Sequence, residues 1–136
     1  MEASVQAAPP AAKIRLIAGW VMTGLVILFM AMDTAMKLLD LEPVRATMTQ
    51  MGWPIALDRT LGVIQLLCLV LYAVPRTAVL GAILSTAYLG GAVATHLRLG
   101  DPLFSHVLFG VYIGLLAWGG LWFRDERLRA MIPLRR

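Results

Sequence analysis

A small set of side chains able to donate, accept or carry protons interrupts an otherwise apolar sequence. Asp33 and Lys37 stand four residues apart with the acid first, so on a helix they share a face in the order that favours mutual neutralisation. Asp58, Gln65 and Tyr72 recur every seven residues and therefore share a face that lipid alone would not require. Ser85, Tyr88, Ala92 and His96 form a second such stripe, and Arg98, Asp101 and His106 follow around the turn Gly100-Asp101-Pro102. Histidine is the side chain suited to carry a proton near neutral pH, which makes His96 the strongest candidate for proton transfer and His106 the next. A histidine satisfied at a helix end is the plain structural alternative.

Other chemistries find little support. Two histidines ten residues apart with Asp101 between them do not make a recognised metal spacing, and nothing points to haem ligation. Ser105, His106 and Asp101 formally supply a nucleophile, a base and an acid, yet no GxSxG elbow accompanies them. The single cysteine, Cys68, lies in an apolar stretch and behaves as a small hydrophobe, so neither an internal disulfide nor a CxxC redox pair is available.

These residues must be positioned by elements that suit lipid. Of 136 residues, 60% are hydrophobic and 15% charged, against roughly 25% charged in soluble domains. A soluble chain interleaves polar residues through each helix, whereas here they collect between apolar blocks. The expected architecture is all-α, a four-helix transmembrane bundle over 14–123 with spans at about 14–39, 58–74, 77–97 and 103–123. Leu41, Val44, Met48 and Met51 recur at helical spacing after Pro43 and before Gly52, which predicts a short interfacial helix at about 43–51, with Trp53 at headgroup level. Residues 1–13 read as a flexible arm and 124–136 as a basic cytoplasmic tail. The first apolar block is too long for a typical signal-peptide core and is followed by Asp33 and Lys37, so it reads as a retained helix.

Charge sets the expected orientation. Lys13, Arg15, Arg76, Arg124, Arg127, Arg129, Arg135 and Arg136 fall on one side, and Lys37, Arg45, Arg59 and Arg98 on the other. The positive-inside bias places the larger group, and with it both termini, in the cytoplasm of a bacterial inner membrane. The formal charge of +4 is thereby explained by membrane flanks, and nucleic acid is not an expected partner. Gly81, Gly90, Gly91, Gly110, Gly114, Gly119 and Gly120 lie in the third and fourth spans, where small residues let helix backbones approach closely.

Ionisable groups inside a span are costly and are by default paired or functional. In this topology Asp33, Lys37, Asp58, His96, Arg98, Asp101 and His106 belong to the outer half of the membrane or its edge. The expectation is a polar pocket open to the outside, formed by Asp33, Lys37, Gln65, Tyr88, His96, Arg98, Asp101 and His106, with Gln65 and Tyr88 deeper and Met30, Met32 and Met36 as adaptable lining.

The run from Pro75 through Gly81-Ala82, then Tyr88-Leu89-Gly90-Gly91-Ala92, Thr95-His96-Leu97-Arg98 and Gly100-Asp101-Pro102, resembles the DoxX-like family of small bacterial membrane proteins. Asp33 followed by Met36-Lys37-Leu38, and the tail Arg127-Leu128-Arg129-Ala130, are similar too, so the likeness covers nearly the whole chain. It implies a four-helix membrane bundle. The family takes its name from a subunit of a thiosulfate:quinone oxidoreductase. Asp33, Lys37, His96, Arg98 and Asp101 match the family pattern, whereas many relatives place a glutamate where this chain has Gln65.

Three functions stay open on this reading. The chain binds a lipid-soluble or redox-linked molecule such as a quinone between its helices, with Lys37, Arg98 or His96 donating to its oxygens. It is instead a non-enzymatic accessory protein packing against a membrane partner through its Gly-rich helices. Or it carries a small solute, which a four-helix chain can do only as an oligomer.

Overall fold

The computed structural model describes residues 9–135. Helix α1 runs Pro10–Leu38, α2 Glu42–Gln50, α3 Asp58–Ala73 after one 3-10 turn at Ile55–Leu57, α4 Ala78–Leu99, α5 Phe109–Arg124 after a π-helical turn at Leu103–Val107, and α6 Glu126–Met131. Four stretches, Pro10–Leu38, Ile55–Ala73, Ala78–Leu99 and Leu103–Arg124, are long and apolar enough to cross a membrane. At 1.5 Å per residue each reaches about 28 Å or more, close to or beyond the hydrocarbon thickness of about 30 Å. Leu28 (70% exposed), Leu67 (60%) and Leu115 (65%) are among many large apolar side chains on the outside, a surface that water would not tolerate and lipid does.

The four long helices close into a ring in which α1 touches α3 and α5, and α4 touches the same two. The crossings are close where glycine permits it. A Cβ on Gly81 would lie 2.2 Å from the backbone nitrogen of Tyr72, so the tight turn between α3 and α4 is possible only without a side chain there. The Thr77 hydroxyl donates to the Leu71 carbonyl at 2.8 Å and ties that turn. Between α1 and α5, Gly19 and Gly120 face each other, and a Cβ on Gly120 would meet the Thr23 hydroxyl at 2.6 Å. Such contact replaces the hydrophobic drive that lipid-embedded helices lack. Val26, Met30, Cys68, Leu69, Tyr72, Ala82 and Ala117 fill the interior, and the Tyr72 hydroxyl donates to the Ala117 carbonyl at 2.9 Å.

Several boundaries differ from those read in the sequence. Helix α1 starts at Pro10 rather than Ile14, because proline is pre-organised for a first helical turn and Ala11 and Ala12 extend it; residues 1–8 of the expected arm lie outside the described residues. The chain reverses after α1 at Asp40, whose φ of 55° is one that aspartate tolerates better than most residues. Helix α2 covers the end of the bundle by burying Val44 and Met48. Within the expected basic tail, Asp125 accepts from the backbone N–H groups of Arg127 and Leu128 and so caps α6, which packs Leu128 into the core. Arg136 lies outside the described residues.

Candidate functional site

The last turns of α1 carry Asp33 and Lys37, which form an ion pair along the helix. Gln65 reaches them from the middle of α3. Its Oε1 accepts from Lys37 Nζ at 3.1 Å, and its Nε2 donates to Asp33 Oδ2 at 2.7 Å. From α4 the Tyr88 hydroxyl donates to the same Gln65 oxygen at 3.2 Å. Three helices thus contribute to one closed network, centred on a glutamine that is 2% exposed. The amide is suited to this position because it donates to the acid and accepts from the base at once.

A second group lies at the rim. His96, in the last turn of α4, meets Asp101 across the Gly100 turn, with Nδ1 and Oδ2 2.6 Å apart. Gly100 adopts φ 70°, the left-handed conformation that ends a helix and lets the chain double back within reach of His96. The π-helical turn then brings the His106 ring to 5.9 Å from that of His96, edge to face. Among the described residues no hydrogen bond joins this pair to the Gln65 network. Arg98 stands apart from both, donating to the Met51 carbonyl at 3.0 Å and tethering the end of α4 to the loop after α2.

The formal nucleophilic set does not assemble. Ser105 bonds to His106 at 2.7 Å, but Asp101 is engaged by His96, so no acid orients the His106 ring. Met30 is buried in the core and Met32 is 56% exposed on the outer surface, so the two methionines do not line a common space. Among the described residues, no three His, Cys, Asp or Glu side chains are grouped to hold a metal. Two clefts lie at the opposite end of the bundle, around Pro75, Arg124 and Arg127.

Asp58 belongs by sequence to the outer polar group, outside the expected pocket, and its position is the most demanding of all. It opens α3 seven residues before Gln65, is 1% exposed, and neither carboxylate oxygen has a partner among the described residues. The heptad spacing from Gln65 was the available signal. Thr34 Oγ1 and Ser85 Oγ are buried and unpartnered in the same way. Buried polar atoms are almost always satisfied in folded proteins, so these three side chains stand out from the rest of the interior.

The model of the DoxX-like family matches residues 21–120. The chain belongs to the DoxX-like family. The matched region of this DoxX-like protein contains every residue of both polar groups, from Asp33 to His106. No curated protein and no solved structure shows a match.

Proposed function

We propose that this DoxX-like protein is a multi-pass protein of the bacterial cytoplasmic membrane, with both termini inside, that binds a small lipid-soluble, oxygen-bearing molecule of quinone type at its outer polar network. The observation that carries the reading is the convergence of Lys37, Gln65 and Tyr88 from three different helices onto one point. Holding a charged pair and a buried amide inside an apolar bundle costs free energy that a purely structural bundle would avoid. Carbonyl oxygens of a quinone are acceptors only, and Lys37 Nζ and the Tyr88 hydroxyl are donors that they match. The ring needs room, so binding requires Gln65 to exchange its present partners for the ligand. His96 and His106 at the rim are placed for proton exchange with the outer aqueous side.

The test is extraction of lipid-soluble molecules from protein purified in mild detergent. Quinone is expected at a fixed ratio to the wild-type chain and lost from Lys37→Ala and Tyr88→Phe while both remain folded. A wild-type chain that neither retains quinone nor takes it up from added stock removes the reading.

A second reading has its own support. The sequence predicts close packing at the glycines of α4 and α5, and Gly81, Gly110, Gly119 and Gly120 do meet neighbouring atoms closely. A Cβ on Gly90, Gly91 or Gly114, however, would meet nothing within 4 Å. Such open small-residue surfaces suit a second membrane helix, which favours an accessory or assembly role. Copurification with a partner, broken by Gly90→Leu but indifferent to Tyr88→Phe, would select this reading over the first.

A further inference from the structure

The two ends of the bundle differ in charge. At the end that carries α6, the bases Lys13, Arg15, Arg76, Arg124, Arg127, Arg129 and Arg135 face only Asp125 and Glu126 among the described residues, whereas Lys37, Arg45, Arg59 and Arg98 at the other end are outnumbered by Asp33, Asp40, Glu42, Asp58 and Asp101. A cleft of about 370 Å³ opens at the basic end between the start of α4, the end of α5 and α6, and it continues into a second of about 470 Å³. Pro75, Val79, Asp125 and Arg127 line both, so they form one groove.

The arginines around it divide into two kinds. Arg124 is engaged, donating to the Thr23 hydroxyl at 3.2 Å and lying 4.3 Å over the Trp20 ring. Arg129 is engaged with the Trp122 and Phe123 carbonyls at 2.8 and 2.9 Å. Arg76 and Arg127 line the groove, and their guanidinium groups make no hydrogen bond or ion pair among the described residues. The local acids do little to cancel them. Asp125 accepts from two backbone N–H groups, and the Glu126 side chain is 90% exposed, 3.6 Å from Arg129. From the groove an apolar strip leads along α4, through Val79 and the half-exposed Ile83, to Thr86, where the Trp118 indole donates at 2.8 Å.

We propose that this groove binds the phosphate of an anionic phospholipid headgroup, gripped by Arg76 and Arg127, with an acyl chain lying along the Val79–Ile83 strip. Guanidinium groups offer paired donors that match phosphate oxygens, and free ones at the membrane boundary attract anionic lipid. The adjoining apolar strip supplies what a free phosphate ion would not use. The site is independent of the outer polar network.

Native mass spectrometry of the full chain in detergent tests this, with phosphatidylglycerol, phosphatidylcholine and inorganic phosphate as probes. The wild type is expected to retain phosphatidylglycerol over phosphatidylcholine, and excess inorganic phosphate is expected not to displace it. Binding should fall about tenfold or more in the double variant Arg76→Gln/Arg127→Gln, and comparably in Val79→Trp, which blocks the groove without changing charge. Arg135→Gln, outside the groove, should leave it unchanged. Equal retention of the two lipids, displacement by inorganic phosphate, or equal loss in Arg135→Gln overturns the proposal. The lipid comparison on the wild type decides the matter even where a variant fails to fold.

Discussion

Gln65 of α3 donates through Nε2 to Asp33 Oδ2 of α1 at 2.7 Å, in a site where the glutamine is 2% exposed. A carboxylate at position 65 could not make that donation. It would set a second negative charge against Asp33 with only Lys37 to offset both.

Gln65→Glu is therefore expected to destabilise the bundle by about 1–3 kcal/mol, through a lost buried hydrogen bond and the repulsion that replaces it. Thermal unfolding in detergent measures this. An unchanged midpoint for Gln65→Glu would show that the network rearranges freely around a carboxylate.

Gly81→Ala should be among the most damaging small substitutions in the chain. Its new methyl would fall 2.2 Å from the Tyr72 backbone nitrogen, so α3 and α4 would have to separate. A loss of about 1–3 kcal/mol or more is expected from overpacking. Gly90→Ala, facing open space, should change stability by less than about 0.5 kcal/mol. Denaturant titration of the two variants in mixed micelles gives the comparison, and equal effects would contradict the helix crossing described.

Tyr72→Phe removes a buried hydroxyl that donates a hydrogen bond to the Ala117 carbonyl at 2.9 Å. The aromatic ring remains and packing is preserved, so the expected cost is about 0.5–1.5 kcal/mol, that of one hydrogen bond. A cost above that of Gly81→Ala would mean that the hydroxyl holds α3 to α5 more strongly than one bond can.

Orientation is tested by labelling. In a Cys68→Ser background, Thr49→Cys on the exposed side of α2 should react with an impermeant maleimide in intact cells, and Arg135→Cys only after permeabilisation. The reverse pattern would invert the proposed topology.

Much of the architecture was legible because lipid imposes a simple rule. Apolar blocks of spanning length, Gly52 and Gly100 at helix ends, and the heptad of Asp58, Gln65 and Tyr72 all translate directly into helices and a buried face. The three heptad residues are 1%, 2% and 0% exposed. The start of α1 at Pro10 and the folding back of α6 were not legible, because proline and a charged run read as boundaries until their neighbours are known. Arg98 lies close to His96 in sequence, yet a two-residue step on a helix turns the side chain away, here toward the Met51 carbonyl.

The sequence by itself determined the solvent, the number of spans and which helix faces are polar, since these depend on composition and on a period of 3.6 residues that every helix obeys. Only the tertiary structure decided which polar residues meet. Lys37, Gln65 and Tyr88 lie on three helices, and whether their tips converge depends on crossing angle, axial offset and rotation. Those are set by contacts such as Gly81 against Tyr72 and Gly19 against Gly120, two turns or more along the helices from the site. The split into a Gln65 network and a His96–Asp101 rim, the burial of Asp58 without a partner, and the open groove beside Arg76 and Arg127 follow from that packing.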